Sequence, residues 1–264
     1  MRKGPQRIVC LTEETTETLY LLGEQDRIVG IFGFTVRPAQ ARKEKPKVSA
    51  FTSAKTPRIL ELKPDLVLGF SDLQADIAAD LVRAGLEVHS FNQRSVEQIL
   101  DFIRMLGGMI GVQAKAEALA ASLERGIEQV REQALRLPGK PRVYFEEWDE
   151  PMISGIRWVS ELIGIAGGED CFGELAEHHG AKHRVIADPE EVIRRAPAVI
   201  IGSWCGKKFS PDKVRARPGW NAIPAVHNGQ LHEIKSCDIL QPGPAALTDG
   251  LHQLQALIAS AARA

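Results

Sequence analysis

Acidic and aromatic side chains gather in this chain just past short apolar runs, where they are placed to grip a ligand rather than to transform one. The first set is Thr12-Glu13-Glu14, and Phe51 and Phe70 follow singly. The second half carries Glu146-Glu147-Trp148-Asp149-Glu150 with Met152, then Ser203-Trp204-Cys205, Trp220 and Ser236-Cys237-Asp238. Three of the four tryptophans fall in this collection, Trp158 being the exception. Large aromatics beyond strand ends suit a flat or bulky ligand held by stacking and apolar contact. The competing reading is that they fill a core. The ligand reading is preferred because each follows a strand end, the edge where open parallel sheets bind their ligands. The acidic cluster either holds a cation, accepts from amide and hydroxyl groups, or is a solvated loop. The predicted ligand-binding set is Thr12, Glu13, Phe51, Phe70, Glu147, Trp148, Met152, Trp204, Trp220 and Asp238.

No catalytic pattern accompanies these groups. There is no P-loop, no Gly-x-Ser-x-Gly, no His-Glu-x-x-His and no Gly-x-Gly-x-x-Gly after the first strand. No catalytic residue is assigned, which favours a binder over an enzyme. His178-His179 and His183 lack a partner acid or cysteine at ligand spacing, and Gly180 interrupts them, so they read as a surface loop. Cys205 and Cys237 suggest a soft-metal pair less well than two structural thiols. No metal site is predicted. Lys207-Lys208, Lys213, Arg215 and Arg217 read as a solvated face, with anion or partner binding as the lesser reading.

The elements that must position these groups alternate between strand and helix. Residues 7–11, 27–31, 65–69 and 86–91 are short apolar strands, and residues 12–22, 59–62, 73–84 and 95–106 are helical. Residues 33–57, with three prolines, read as irregular. Apolar residues at Val112, Ala116, Leu119, Leu123, Ile127, Val130 and Ala134 then form one stripe on a helix from Val112 to Leu137, about 26 residues or roughly 39 Å. After Pro138-Gly139 the order restarts, with strands at 142–145, 198–202 and 231–234 and helices at 157–165, 189–195 and 243–262. The segment Thr56–Phe70 resembles Asp188–Trp204, and Arg7-Ile-Val resembles Arg142-Val-Tyr, at offsets of about 132 to 135 residues. The pattern predicts an α/β protein of two Rossmann-like lobes with parallel sheets, residues 1–111 and 140–264. A long α-helix over 112–139 bridges them, and the ligand cleft lies between the lobes.

Composition narrows the class. The 264 residues are 44% hydrophobic and 25% charged, with a net charge of −1. Such a balance argues against nucleic-acid and membrane-surface partners, and no apolar run approaches a membrane span. The four cysteines lack CxxC spacing and read as free thiols. A monomer binding one small molecule is expected. Met1–Arg7 is basic, but Ile8–Leu11 is too short for a signal-peptide core, so the chain is expected in the cytoplasm. A trimmed leader would make it periplasmic or cell-surface instead.

Several motifs carry a family resemblance. Arg7-Ile-Val-Cys-Leu-Thr with Thr18, Lys47-Val-Ser-Ala-Phe51, Ile59-Leu-Glu-Leu-Lys-Pro-Asp-Leu-Val-Leu68, Ser95-Val-Glu-Gln-Ile99, and Ser154-Gly155 with Ala166-Gly-Gly168 span most of the sequence. Together they resemble the single-helix-hinge substrate-binding proteins of ABC importers that carry cobalamin, haem and ferric siderophores, the cobalamin branch most of all. The resemblance implies a corrinoid held as ligand between lobes, with no cofactor, and Phe51 and Phe70 standing where that branch usually has tryptophans. It also implies docking to an ABC permease through acids, for which the N-lobe offers Asp72 or Asp76, while the matching C-lobe region is basic. Two alternatives stay open. One is a cytoplasmic corrinoid- or tetrapyrrole-handling protein or enzyme; the other is a binder of ferric siderophore, haem or a bare metal ion.

Overall fold

The computed structural model describes residues 4–263, so the first three residues of the basic Met1–Arg7 segment lie outside it. Eleven strands among the described residues form two sheets. In the first, β1 (Ile8–Cys10), β2 (Ile28–Phe32), β3 (Lys47–Ala50), β4 (Ser53–Ala54), β5 (Leu66–Phe70) and β6 (Val88–Phe91) lie in the order β4-β3-β2-β1-β5-β6. Every pairing is parallel except the β3–β4 hairpin. In the second, β7 (Arg142–Asp149), β8 (Met152–Ser154), β9 (Glu169–Asp170), β10 (Val199–Gly202) and β11 (Leu231–Glu233) give β11-β10-β7-β8, with β9 also on β7. Here only β8 is antiparallel.

The central strands are continuous apolar runs because helices cover both faces of a parallel sheet. Ile8, Val9, Val67, Leu68, Val143, Ile200 and Ile201 have no exposed surface. The chain divides into two compact units. The first runs to Gln93 and includes Glu97–Leu123; the second comprises Arg94–Val96 and everything from Glu124.

Each unit repeats one device. In the first, helix Thr56–Glu61 ends at Lys63, whose φ is 46°, and Lys63-Pro64 turns the chain into β5. In the second, helix Glu190–Arg195 ends at Ala196, whose φ is 44°, and Ala196-Pro197 turns it into β10. Helix, left-handed residue, proline and buried strand recur in one order, and the strands pair alike. Ile8 of β1 faces Leu66 of β5, and Val143 of β7 faces Val199 of β10. A proline disfavours the right-handed helical conformation for the residue before it, which helps explain why each helix stops there.

A single 22-residue helix, Gln113–Ala134, continues the chain from the first unit into the second. Its buried face is Ala116, Ala120, Leu123, Ile127 and Val130, steps of four and three that keep one stripe inward. Ala116 meets Gly107 of helix Val96–Met109 so closely that a Cβ on Gly107 would lie 2.2 Å from its methyl. The helix ends three residues before the predicted Leu137, where the chain turns and leaves Leu135 83% exposed.

Two readings of local structure need correction. Residues 33–57 are not irregular, since they hold helix Ala39–Glu44 and the β3–β4 hairpin. Their lysines and prolines mask a short strand, β3, in which only Val48 is fully buried. The acidic run after residue 145 is not a loop either. It is the outer half of β7, which extends past β10 and turns back into β8.

Candidate functional site

In the first unit, the residues beyond the strand ends are held by buried carboxylates. Thr12 follows β1, and its hydroxyl donates to Glu14 Oε1 at 2.6 Å. Its carbonyl accepts from the Thr15 and Thr16 hydroxyls. Glu13 Oε1 accepts from two successive backbone N–H groups, Val36 at 2.7 Å and Arg37 at 2.6 Å. Arg37 also pairs with Glu17 at 2.9 Å. The loop after β2 is thus clipped to helix Glu13–Leu21 by its backbone. Glu13 and Glu14 are 3% and 1% exposed. Burial pushes both carboxyls up to about 7, against the pull of their hydrogen bonds.

That loop presents Phe34, which is 65% exposed. Its ring stacks edge-on to Phe32 at 5.6 Å, and Phe32 meets half-buried Phe51 at 6.5 Å. Phe34 was missed from sequence because a lone phenylalanine in a turn gives no signal of direction. Phe34 also lines a cavity of about 300 Å³ with Gly33, Lys47–Ala50 and Ser53–Lys55. Ser49, whose buried Oγ has no hydrogen-bond partner among the described residues, belongs to that lining. None of the sequence-predicted site residues does.

Phe70 corrects an expectation. It is 6% exposed, so the ring on which stacking was predicted lies inside the unit. The backbone beyond it carries the unusual feature, since Ser71 has φ 62° and ψ 174°, a region normally left to glycine. Gln74 fixes this edge by accepting from Phe70 N and donating to the Leu11 and Phe51 carbonyls. Asp72 and Asp76 are both exposed, with Leu73 60% exposed between them.

In the second unit, Glu146 is fully buried and saturated. Its carboxylate receives both Arg217 guanidinium N–H groups at 2.6 and 2.9 Å, the Tyr144 hydroxyl at 2.8 Å and the Trp204 indole N–H at 3.0 Å. Trp204, Trp220 and Met152 are 3%, 0% and 8% exposed and share one hydrophobic core with Tyr144, Ile200 and Phe209. Their prediction as ligand contacts is therefore corrected to core. Following a strand end says nothing about which way a side chain turns. The Trp204 indole folds back so that its N–H reaches Glu146, and Trp220 sits in a turn after helix Pro211–Arg215 rather than after a strand.

The remaining predicted groups are partly open. Trp148 is half-buried, with its indole N–H on the Glu150 carbonyl at 2.9 Å and the Lys207 ammonium 4.3 Å above its ring. Glu147 is held by buried Arg184 through two hydrogen bonds of 2.6 and 3.2 Å, which occupies the oxygens expected to accept from a ligand. Asp238 is half-buried and accepts from Gln253 at 3.2 Å. The basic run splits. Lys208, Lys213 and Arg215 are exposed, whereas Arg217 pairs with Glu146 and Lys207 pairs with buried Asp149. His178 and His183 have rings 5.7 Å apart, and the described residues contain no group of three or more metal-ligating side chains. Cys10 and Cys171 are buried, and burial pushes both thiols up to about 12.

Known proteins share this architecture along nearly its whole length. An uncharacterized ABC transporter substrate-binding lipoprotein of Bacillus subtilis is 25% identical over 96% of this chain and 80% of its own. The vitamin B12-binding protein of Vibrio campbellii is 28% identical over 90% of this chain and 85% of its own. Among solved structures, the periplasmic vitamin B12 binding protein of Vibrio cholerae superposes with a TM-score of 0.79 at 21% identity, covering 97% of this chain and 98% of its own. A periplasmic haem-binding protein from Roseiflexus sp. RS-1 gives 0.83 at 24%, covering 98% and 100%. At these identities the two structures establish the fold.

The expectation of a cytoplasmic chain is overturned by these relatives, which are a lipoprotein and periplasmic proteins. No described helix is long and apolar enough to cross a membrane. The family profile matches residues 8–237, and the chain belongs to the periplasmic binding protein family.

Proposed function

We propose that this protein is the substrate-binding component of an ABC importer, working outside the cytoplasm, and that its ligand is a corrinoid or a similar large planar chelate. Members of this family bind a solute without transforming it, so no catalytic role is assigned. The observation that carries the ligand class is the match to curated vitamin B12-binding proteins over nine-tenths of the chain. The aromatic groups at the strand ends support it. In the first unit, Phe34 and Phe51 lie beyond β2 and β3, and in the second, half-buried Trp148 ends β7; large aromatics at strand ends suit a broad apolar macrocycle. Asp72 and Asp76, exposed on a turn and the helix behind it, are the groups proposed to meet basic residues of a permease.

Equilibrium dialysis of the purified protein against cyanocobalamin, dicyanocobinamide and haem, with a mass spectrum of the recovered ligand, tests this reading. Saturable binding of at least one, recovered at unchanged mass, is expected. No saturable binding of any of the three would overturn the ligand class, and a changed mass would overturn the non-catalytic role.

A further inference from the structure

The Lys207 ammonium sits in an unusual setting at the C-terminal edge of the second sheet. It forms an ion pair with Asp149, which is 2% exposed, and stands over the rings of Trp148 at 4.3 Å and Trp204 at 5.0 Å. An ammonium has three N–H donors and no acceptor. Here the carboxylate takes one side, and the indole faces attract the charge through their quadrupoles without saturating its donors. The head group is held in place, while the side chain stays 35% exposed. A group arriving from the open side therefore meets an oriented cation with donors to spare.

Lys208 and Lys213 are exposed and, among the described residues, lack the carboxylate and indole contacts that hold Lys207, and the neighbouring arginines are committed elsewhere. Arg217 is committed to Glu146 through both guanidinium nitrogens, Arg184 is buried against Glu147, and Arg215 pairs with Asp212 at 2.9 Å. Trp148 and Asp149 end β7, and Lys207 follows the end of β10, so the cation lies on the edge where open parallel sheets take their ligands.

We propose that Lys207 is a specificity-determining residue. It docks an anionic oxygen group carried at the rim of the ligand, either a carboxylate or a phosphodiester, and makes the protein select acidic chelates over neutral ones. This rests on the large-chelate reading above. Asp149 serves as the positioning residue, because its buried charge keeps the ammonium over the indoles and is itself kept neutralised by it. The ammonium bridges the buried carboxylate and the ligand anion at once, so binding does not strip Asp149 of its partner.

The test uses two pairs of ligands that differ in an anion. Haem and its dimethyl ester differ in the carboxylates alone; cyanocobalamin and dicyanocobinamide differ in the whole phosphodiester-linked nucleotide and one axial ligand, so in that pair only the part of the preference lost with Lys207 is credited to the phosphodiester. Tryptophan fluorescence titration should give tighter binding of the acidic member in at least one pair, by roughly tenfold for a charge-assisted hydrogen bond in partly exposed surroundings. The pair that discriminates identifies the anion. Lys207→Met, which keeps the apolar stem, should abolish that preference. Because it leaves Asp149 buried without a partner, Asp149→Asn combined with Lys207→Met is the companion variant, and the preference should be lost there too. Equal affinities within both pairs, or a preference surviving in both variants, would overturn the assignment and leave the large-chelate reading standing. Failure of all four ligands to bind the unaltered protein would overturn that reading, and this assignment with it.

Discussion

Each unit carries a pair of glutamates at the C-terminal end of its first strand, Glu13-Glu14 just past β1 and Glu146-Glu147 in the outer half of β7, and the pairs are held in opposite ways. In the first unit, Glu13 and Glu14 are buried on neutral donors, namely two backbone N–H groups and a threonine hydroxyl. In the second, Glu146 is fully buried on the Arg217 guanidinium through two hydrogen bonds, and half-buried Glu147 is held by the Arg184 guanidinium. A neutral donor lowers the cost of a buried charge but does not cancel it, so burial dominates and the first pair titrates near 7. In the second pair each carboxylate instead faces a guanidinium, which supplies the opposite charge. One edge is therefore held by neutral donors, and the other is locked by ion pairs.

The largest expected effect breaks the lock. Arg217→Met leaves the Glu146 carboxylate buried without a counter-charge, and removal of one partner of such a pair costs about 3–5 kcal/mol. Denaturant unfolding should show that loss. Combining it with Glu146→Gln should recover a large part, because the uncompensated charge goes with it. A double variant no more stable than Arg217→Met alone would show that the bond geometry, not the charge, holds this edge.

The edge held by neutral donors should respond to pH with a definite sign. Glu13 and Glu14 titrate near 7 when folded, against an ordinary value of 4.5. Between those values these two groups hold more protons in the folded protein than in the unfolded chain, so their contribution to stability is greatest below about 4.5 and is lost as pH rises toward 7. At about 1.4 kcal/mol per pKa unit, the change for this coupled pair is on the order of a few kcal/mol. Glu13→Gln with Glu14→Gln should flatten that stretch of the stability profile. A wild-type contribution rising from pH 5 to 7 that this double variant abolishes would contradict the assignment.

How far these edges could be read from sequence differs by element. The central strands were legible because burial on both faces demands runs such as Ile8-Val-Cys10 and Val199-Ile-Ile201. The long helix was legible because one buried face demands apolar steps of three and four. Side-chain direction beyond a strand end leaves no such trace. Trp204 and Phe70 turn inward and Phe34 turns outward, although all three stand at or just past the ends of apolar strands. The Lys207–Asp149 and Arg217–Glu146 pairs join residues 58 and 71 positions apart, beyond any local pattern.

A smaller effect separates the open aromatic from the buried one. Phe34→Ala should leave unfolding stability within about 0.5 kcal/mol, as expected of an exposed site. Its cost falls on affinity for the chelate, at about 2 kcal/mol or roughly thirtyfold. Trp204→Ala should do the reverse, with about 3–5 kcal/mol lost in stability. If Phe34→Ala left affinity for every tested chelate intact, the first unit's aromatic edge would not be a ligand surface.

The smallest effect tests the duplication itself. Lys63 and Ala196 occupy equivalent turns, each left-handed and each followed by proline, with φ of 46° and 44°. A side chain in that conformation costs roughly 1–2 kcal/mol that glycine does not incur, although glycine adds entropy to the unfolded chain. Lys63→Gly and Ala196→Gly should therefore each stabilise the protein slightly, by about 0.5–1 kcal/mol. Neither side chain is fully buried, so little packing is lost in exchange. The informative quantity is the agreement between the two. Similar gains would show that one turn was copied intact and strained alike in both units. Stabilisation at Ala196 with destabilisation at Lys63 would mean that the lysine stem contributes packing of its own, and that the two turns have diverged in energy while keeping one geometry.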